Sequence, residues 1–507
     1  MSLHPLITIC GTTGVGKSKL AVELALRLAQ DSCSHGWNGA RIINADAMQV
    51  YRGFDVITNK IPFQERRGVE HLLMDFKDPR EQYVVGQWVH DAIRVIDETH
   101  RRNQVPIVVG GTSYWIQHLV FPNRLVSDPI VDSPAAKSTV SQELTEALVR
   151  LSPDMRGLFD FLPETPPSAA ENPEAALSLH KLLSALDPTV ASRWHWRDTR
   201  KVLRSLVIIR DTGRRASDII KGQSQTAAIP RYRTLCLWLY ADPAALTPRL
   251  NARVDDMLQN GLLEEVRQMR AIVSETCSLD NDVQPSSDQE NATIIEPTLG
   301  VFQSIGFKEL DRYISDPSPT DIKYTGAVEE IKNATRKYAK RQVSWIRNKL
   351  LPALSSSKRS VQDDDVRSSR AYLLDATELG DKWISNVRDP AANIAKAFLK
   401  LEPMPDPFST SGYASEMLAT AAKPTDPTAV LAARQKIVCP TCTLDDARPV
   451  MIEEGSEWSA HQKTKAHQRL ASKAKRTDTW FQRQHVQREK VEHDDSDGGW
   501  SQKLLDG

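Results

Sequence analysis

Short apolar runs alternate with amphipathic segments along the first part of the chain. Residues 6–10, 40–44 and 105–112 are apolar runs whose length suits the buried strands of a parallel sheet. Between them, residues 19–30 and 84–102 carry apolar side chains at helical spacing. Strands that alternate with helices predict an α/β fold, in which a parallel sheet is flanked by helices.

The pattern changes after residue 121. Residues 122–197 are polar, rich in proline and without strand-like alternation, which predicts a helical insertion domain. The sheet resumes with a buried strand at residues 234–242, and a helix is expected to begin at Pro248. Residues 277–297 are polar and acidic and are expected to form a surface loop. The predicted domains are a core over 1–121 and 198–400, an insertion over 122–197, a linker over 401–432, a zinc finger over 433–476 and a disordered tail over 477–507.

Composition limits the class of protein. The chain has 507 residues, 40% of them hydrophobic, which allows two or three domains with buried cores. Its 65 basic and 65 acidic residues cancel, yet residues 331–349 carry seven Lys or Arg and no acid, so a nucleic-acid partner is allowed. Six cysteines in so long a chain favour a reducing compartment over a disulfide framework. Since no apolar run reaches membrane-spanning length, we expect a soluble intracellular protein. We also expect a cytoplasmic monomer, and import into mitochondria or the nucleus stays open.

The sequence GTTGVGKS lies between the first predicted strand and the first predicted helix. Its spacing, G-x-x-x-x-G-K-S, is that of a phosphate-binding loop (P-loop), in which glycines let backbone N–H groups approach phosphate oxygens at a helix N-terminus. Lys17 adds a positive charge, and Ser18 supplies a hydroxyl that can ligate Mg²⁺. The residues predicted to bind a di- or triphosphate are Gly11, Thr12, Thr13, Gly14, Val15, Gly16, Lys17 and Ser18.

Polar and small residues end the second and third predicted strands. Asp46 follows the second strand, and because the carboxyl ends of parallel strands line the ligand crevice, Asp46 should face the P-loop. The alternative is that Asp46 caps a following helix. The third strand ends in Gly110, Gly111 and Thr112, where ordinary P-loop hydrolases carry an acid that holds Mg²⁺ and positions water. ATP hydrolysis is therefore disfavoured.

Two segments have the character of nucleic-acid-binding helices. Residues 198–215 form a basic amphipathic helix, for which a solvated surface face is the alternative. Residues 331–349 interleave Lys and Arg with Tyr338 and Trp345, a pattern that suits a phosphate backbone with bases stacked nearby. The alternative for the two aromatic residues is that they pack in the core.

A Cys-x-x-Cys pair near the C-terminus, Cys439 and Cys442, is followed by His461 and His467. Two thiolates and two imidazoles in this order are typical of a tetrahedral zinc site, with the thiolates on a turn and the imidazoles on one helix. Six Lys or Arg follow within residues 463–476. The sequence thus predicts a C-terminal C2H2-type zinc finger, holding structural Zn²⁺ beyond a flexible linker.

Six motifs resemble those of the tRNA dimethylallyltransferases of the eukaryotic type, which end in a zinc finger. They are GTTGVGKS, INADAMQVYR, VPIVVGGT, RVDDML, FQSIGFKE and YAKRQVSWIR. In that family the P-loop holds dimethylallyl diphosphate, and the prenyl group passes to N6 of adenosine 37 beside the tRNA anticodon. The resemblance implies a prenyltransferase and explains the missing acid after the third strand. The chain departs from the family's commonest pattern at Ala45 and Ala47, where serines are usual.

The resemblance also implies roles for individual residues. An adenine amine is a poor nucleophile, so a carboxylate must accept its proton as the C–N bond forms, and Asp46 fits this role. Thr112 is implied to orient the amine. Arg253 is implied to join Lys17, Ser18 and Mg²⁺ in stabilising the charge on the departing pyrophosphate. The residues implied to contact tRNA, around whose anticodon stem the insertion closes, are Asp46, Ala47, Met48, Gln49, Arg200, Lys201, Val202, Leu203 and Arg204.

Two other classes of protein stay open. A small-molecule kinase would share the P-loop, but it would leave the zinc finger and the acid-free basic helix without a purpose. A non-catalytic RNA-binding protein would use the P-loop and the finger only for regulation and docking. Against that class stands the intact set of candidate site residues, Lys17, Ser18, Asp46 and Arg253.

Overall fold

The structure is a computed structural model. The chain forms two compact units. The residues that it describes are 3–122, 141–225, 229–279, 299–356, 369–419, 427–433 and 435–473. The first unit comprises the described residues of 1–128 and 226–425, and the second comprises those of 129–225 and 426–507. The P-loop and all three candidate catalytic residues therefore belong to the first unit. The predicted disordered tail lies outside the described residues.

A parallel sheet of six strands forms the centre of the first unit, in the order β3-β2-β4-β1-β5-β6. These strands are β1 (Pro5–Gly11), β2 (Ala40–Asn44), β3 (His71–Leu72), β4 (Val105–Val109), β5 (Arg233–Tyr240) and β6 (Arg370–Asp375). The chain runs from β1 past β4 to β2, and later from β4 past β1 to β5. The connections therefore leave in opposite directions on either side of β1 and β4, and a crevice is expected between their carboxyl ends.

Alternate residues of β1 enter two different apolar cores. Leu6 and Cys10 belong to the core on one face of the sheet, and Ile7 and Ile9 belong to the core on the other face. All seven residues of β1 are buried. A strand that is covered on both faces reads as a continuous apolar run, which is why the pattern of residues 6–10 identified it. The predicted α/β fold with a helix-flanked parallel sheet is confirmed.

The helices have the following bounds. They are α1 (Lys17–Gln30), α2 (Ser32–His35), α3 (Val85–Arg101), α4 (Ser113–Val120), α5 (Gln142–Val149), α6 (Pro153–Asp160), α7 (Pro173–Leu186), α8 (Pro188–Ala191), α9 (Thr199–Thr212), α10 (Ala216–Gln225), α11 (Pro243–Gln259), α12 (Leu262–Leu279), α13 (Phe307–Ile314), α14 (Asp321–Trp345), α15 (Leu351–Ser356), α16 (Asp389–Lys400), α17 (Ala414–Leu418), α18 (Pro427–Ala432), α19 (Ser456–Gln462) and α20 (465–473). Single turns of other helix types lie at Phe63–Arg66, Gly300–Gln303, Ile346–Leu350, Ile384–Arg388 and Pro407–Ser409. Within the described part of the chain, none of the helices combines the length and the apolar character needed to cross a membrane.

The helices of the first unit cover both faces of the sheet. α1 and α16 contribute Leu20, Leu24 and Phe398 to one core. α3, α4 and α14 contribute to the other core, where the rings of Trp88 and Trp115 stack with centroids 5.0 Å apart. α14 runs from this core towards the P-loop, and it supplies two side chains to the candidate site.

The second unit is helical apart from one hairpin. It contains α5 to α10, as the polar and helical pattern of the predicted insertion indicates, and it continues with α18 to α20. Strands β7 (Lys436–Val438) and β8 (Met451–Glu453) pair antiparallel within the predicted finger. α9 packs against α7, so the basic helix predicted at 198–215 belongs with the insertion and not with the predicted core.

Some predicted boundaries are wrong. The helix that was expected to begin at Pro248 begins at Pro243, because the Asp242 side chain accepts a hydrogen bond from the Ala244 N–H and a proline follows it in the first turn. α12 continues to Leu279, so the predicted loop at 277–297 begins inside a helix, and its remainder from 280 lies outside the described residues. Strands β3 and β6 were not predicted; both lie at sheet edges, where the apolar signal is weaker.

The predicted linker at 401–432 is in part a packed element of the first unit. The Tyr372 hydroxyl of β6 donates to the Pro405 carbonyl oxygen over 2.8 Å, and the Thr410 hydroxyl donates to the Leu373 carbonyl oxygen over 2.9 Å. α18, at the end of the predicted linker, packs instead on α10 of the second unit. The linker prediction rested on Pro, Ser and Ala content, which does not show whether backbone groups find partners.

Candidate functional site

Residues 11–18 connect β1 to α1 in a loop whose backbone requires glycine. Gly14 and Gly16 have left-handed φ angles of 80° and 82°, and a side chain at Gly11 would come within 2.4 Å of the Leu239 carbonyl oxygen. α1 begins at Lys17 without a side-chain cap and without an acidic residue in its first turn. Its first backbone N–H groups can therefore donate to an anion that the loop holds.

Lys17 lies half-buried at the base of the loop, where its Nζ donates to the Thr12 carbonyl oxygen over 2.7 Å. Loss of water around Nζ lowers the pKa of Lys17 to about 8, while the Asp46 carboxylate raises it and the Arg253 guanidinium lowers it further. Lys17, Asp46 and Arg253 are thus close enough to act on one another, although they come from α1, the end of β2 and α11. A bound anion would favour the charged form of Lys17.

Asp46 lies just beyond β2 in a tight turn. The Asp46 N–H donates to the Asn44 Oδ1 over 3.0 Å, and the Asp46 Oδ1 accepts from the Met48 N–H over 3.0 Å. The next residues form bends and turns, so the alternative that Asp46 caps a following helix is wrong. One carboxylate oxygen is thus held by the backbone, and Oδ2 faces Gly111 at the end of β4.

The glycines after β4 allow the ends of β2 and β4 to approach closely. A side chain at Gly110 would come within 2.2 Å of the Ala45 backbone, and one at Gly111 would lie 3.1 Å from the Asp46 Oδ2. The Thr112 Oγ1 accepts a hydrogen bond from the Ala47 N–H over 3.1 Å, which leaves its own proton to donate. Asp46 and Thr112, which are far apart in sequence, therefore stand together at the carboxyl edge of the sheet.

Two arginines one helical turn apart on α11 approach the P-loop. Burial lowers the pKa of Arg253, and the Asp46 carboxylate opposes this effect. Arg249 donates to the carbonyl oxygens of Gly14 and Ala376 over 3.2 Å, and to that of Thr377 over 2.6 Å. Arg249 ties the loop to the residues after β6 and was missed by sequence reasoning, although its position four residues before Arg253 was a signal.

α14 brings two more side chains to the site. The Tyr338 hydroxyl lies 3.5 Å from the point where a Gly111 side chain would begin, and burial together with the Asp46 carboxylate raises its pKa. Gln342 contacts both the P-loop and Gly111. Trp345 packs edge-on against Tyr114 of α4, with ring centroids 5.5 Å apart. Of the two aromatic residues noted in this helix, only Tyr338 therefore borders the site.

The basic residues of α9 form an exposed face in the second unit. Arg200, Lys201 and Arg204 are exposed, while the side chains of Val202 and Leu203 are buried. The Lys201 Nζ bonds to Asp198 and lies 4.9 Å from the centre of the Trp194 ring. Charged side chains on a supported surface of this kind can contact a phosphate backbone.

Four side chains near the C-terminus converge as a metal site requires. The ligand atoms of Cys439, Cys442, His461 and His467 all lie within 4.8 Å of one another. The His467 Nδ1 lies 3.5 Å and 3.4 Å from the two sulfurs, and 3.1 Å from the His461 Nε2. Bond lengths of about 2.1 Å to nitrogen and about 2.3 Å to sulfur separate the ligands of tetrahedral zinc by roughly 3.3–3.8 Å. The distances around His467 are in or close to this range, so the group is compatible with a structural zinc site. The imidazoles come from α19 and α20, not from one helix as predicted, because the chain turns at residues 463–464.

The finger packs on the helical insertion within the second unit. The Trp196 Nε1–H donates to the Pro449 carbonyl oxygen over 2.8 Å, and the Lys436 N–H donates to the Ser192 carbonyl oxygen over 2.6 Å. Trp196 is fully buried, and Met451 of β8 packs against its cluster. The expectation of a finger isolated beyond a flexible linker is therefore wrong at this contact: Trp196, just before α9, is covered by the finger.

Comparisons with known proteins agree on one family. Residues 49–349 match the family model described as IPP transferase. The chain is 34% identical over 480 residues to a tRNA dimethylallyltransferase of Schizosaccharomyces pombe, covering 93% of this chain and 96% of that protein. It is 30% identical to the human tRNA dimethylallyltransferase, covering 94% and 87% of the two chains. A solved structure of a eukaryotic dimethylallyltransferase acting on tRNA superposes with a TM-score of 0.68 at 29% identity, covering 95% of this chain and 100% of that chain.

Proposed function

The chain belongs to the IPP transferase family of tRNA dimethylallyltransferases, and from this premise we propose that it transfers a dimethylallyl group from dimethylallyl diphosphate to N6 of adenosine 37 in tRNA. The observation that carries the proposal is the meeting of Lys17, Asp46 and Arg253 at the carboxyl edge of the sheet. The transfer needs a base for the amine, which Asp46 supplies, and cations for the diphosphate, which Lys17 and Arg253 supply. The family membership predicted from the six sequence motifs is confirmed.

Asp46 acts as the general base. As the N6 lone pair attacks the allylic carbon and the carbon–oxygen bond to diphosphate breaks, the amine must lose a proton. The Asp46 Oδ2 is the acceptor, because Oδ1 already accepts from the Met48 N–H. Thr112 orients the amine, since its hydroxyl accepts from the Ala47 N–H and can donate its own proton towards the adenine.

The leaving pyrophosphate is stabilised by the P-loop and by Arg253. The N–H groups at the start of α1 and the charge of Lys17 bind the diphosphate in the ground state. Arg253, whose burial strengthens its electrostatic interactions, stabilises the charge that grows on the leaving oxygen. Ser18 is the second residue of α1, and its hydroxyl suits Mg²⁺, which when bound would neutralise part of the diphosphate charge.

The second unit holds the tRNA. Arg200, Lys201 and Arg204 contribute phosphate contacts that offset the few kcal/mol needed to extrude a stacked base. The anticodon loop is contacted at the site itself by Asp46, Ala47, Met48 and Gln49. The buried side chains of Val202 and Leu203 support the basic face of α9 from within.

Structural Zn²⁺ is held by Cys439, Cys442, His461 and His467, and it keeps the finger folded. We further propose that the protein acts as a monomer in a reducing compartment such as the cytoplasm; six cysteines in a chain of 507 residues fit such a compartment better than a disulfide framework.

The experiment that tests this function is mass analysis of nucleosides from tRNA incubated with the purified protein and dimethylallyl diphosphate. We expect N6-(dimethylallyl)adenosine, located at position 37 when tRNA fragments are sequenced. A parallel incubation with radiolabelled ATP and nucleotides should show no phosphate transfer. Phosphate transfer without prenylation would establish a kinase instead, and tRNA binding without either product would establish a binding protein.

A further inference from the structure

Gln342 of α14 joins two parts of the site that are far apart in sequence. Its side chain is buried, with 5% of the residue exposed. The amide oxygen accepts a hydrogen bond from the Thr13 N–H in the P-loop over 2.9 Å. The amide nitrogen donates to the Gly111 carbonyl oxygen at the end of β4 over 3.0 Å. One neutral group therefore connects the phosphate loop to the strand end beside Asp46 and Thr112.

The surroundings of Gly111 show how close these groups are. A side chain at Gly111 would come within 2.6 Å of the Gln342 Nε2, and would lie 3.1 Å from the Asp46 Oδ2. The Tyr338 hydroxyl is 3.5 Å from the same point. The amide of Gln342 and the carboxylate of Asp46 thus border the same small space, which also explains why residue 111 has no side chain.

Chemistry also restricts which residue can stand at position 342. The Thr13 N–H must donate and the Gly111 carbonyl must accept, so the connecting side chain needs an acceptor and a donor at one end. Glutamate could accept from Thr13, but it would face the Gly111 carbonyl without a proton and would add a negative charge near Asp46 and a diphosphate. Methionine has a similar length but provides neither strong bond.

We propose that Gln342 is a positioning residue for the transfer reaction, which sets the distance between the diphosphate in the P-loop and the amine held at Asp46 and Thr112. This inference rests on the proposed function. Bond formation requires the attacking nitrogen and the allylic carbon at about 3–3.5 Å, and a misplacement of about 1 Å can slow such a step on the order of 10²-fold. Gln342 itself is assigned no contact with a reacting atom. It fixes the P-loop, which binds the diphosphate, and the end of β4, which carries Thr112.

The test compares Gln342→Met and Gln342→Glu with wild type in single-turnover transfer at saturating tRNA and saturating dimethylallyl diphosphate. Titrations give the dissociation constant of each substrate, and thermal unfolding reports on the fold. Thr335→Val is the matched control, since Thr335 lies on the same helix and donates only within it, to the Ile331 carbonyl oxygen. For Gln342→Met we expect a rate at saturation lower by roughly 10- to 10²-fold, with tRNA affinity within about twofold and the control unchanged.

Gln342→Glu separates the two bonds, because it retains the acceptor for Thr13. We expect it to lower the saturated rate as well and to weaken dimethylallyl diphosphate binding, owing to its added charge. If Gln342→Met does not fold, the transfer rate of Gln342→Glu at saturation alone tests the inference. A rate at saturation within about threefold of wild type, with only the melting temperature lowered, would reduce Gln342 to a structural residue and overturn the inference. Failure of the wild type to prenylate tRNA would refute the proposed function instead, so the two failures are distinguishable.

Discussion

Replacement of Asp46 by asparagine isolates the proton-transfer step from the fold. The Asp46 Oδ1 accepts from the Met48 N–H over 3.0 Å, and an asparagine oxygen can accept the same bond. A hydrogen bond to a carboxylate is worth about 1.5–3 kcal/mol and one to a neutral amide about 1 kcal/mol, so the variant should keep the turn and lose little of its melting temperature. The other end of the side chain, which faces Gly111, changes from a proton acceptor to an amide that is already protonated.

The expected loss of rate follows from this difference. Removal of a general base typically slows a reaction by about 10²- to 10⁴-fold, which corresponds to roughly 3–5 kcal/mol of transition-state free energy. A second effect acts on Lys17, because the Asp46 carboxylate raises the Lys17 pKa of about 8. In the asparagine variant the Lys17 pKa should fall, so diphosphate binding is best compared near pH 6.5, where Lys17 is charged in both proteins.

The assay is single-turnover transfer with saturating tRNA and dimethylallyl diphosphate, together with a titration of each substrate. Asp256→Asn is a suitable control, because Asp256 is an exposed carboxylate on α11, the helix that carries Arg253. We expect unchanged substrate affinities near pH 6.5 and a rate at least about 10²-fold below wild type. A rate within a few-fold of wild type would remove Asp46 from the mechanism, whatever its position.

Three further predictions concern the diphosphate site and the finger. The affinity of the wild type for dimethylallyl diphosphate should fall as the pH rises through about 8, because Lys17 then loses its charge. The midpoint of this pH dependence should lie at lower pH in Asp46→Asn. An affinity that does not change with pH would contradict the electrostatic role of Lys17. Lys17→Ala should weaken diphosphate binding and slow transfer together. Arg253→Ala should mainly lower the transfer rate at saturating substrate, since Arg253 is assigned to the leaving group. Unchanged kinetics in either variant would contradict the role of the residue replaced. Cys442→Ser should unfold the finger and, through the contact of Trp196 with Pro449, loosen the chain before α9. The tRNA affinity of this variant should fall, and the salt dependence of its tRNA binding should become shallower by roughly one unit for each lost phosphate contact, while the transfer rate at saturating tRNA stays nearly unchanged. The control is Cys33→Ser, which changes an exposed cysteine. Equal tRNA affinity with a collapsed transfer rate would place the finger in the active site.

Several elements could be predicted from the chain itself because their cause is local. The run at residues 6–10 is apolar throughout because β1 is covered on both faces, and its period identifies a buried strand without knowledge of its neighbours. The P-loop depends on the left-handed backbone of Gly14 and Gly16, which glycine adopts readily, so the motif predicts the conformation. The cysteine and histidine spacing likewise predicts a metal site, since the donor atoms themselves define it.

Other features depend on contacts between distant residues, for which the sequence has no local pattern. Gln342 is one glutamine in a basic helix, and only the tertiary structure shows that its amide meets both Thr13 and Gly111. Arg249 and Trp196 are similar cases, since their partners are carbonyl oxygens, which every residue possesses. The helix start at Pro243 is set locally, by the Asp242 side chain, whereas the packing of the finger on the insertion has no local pattern that predicts it. Backbone hydrogen bonds and buried apolar contacts are decided by which surfaces the fold brings together, and composition does not record them.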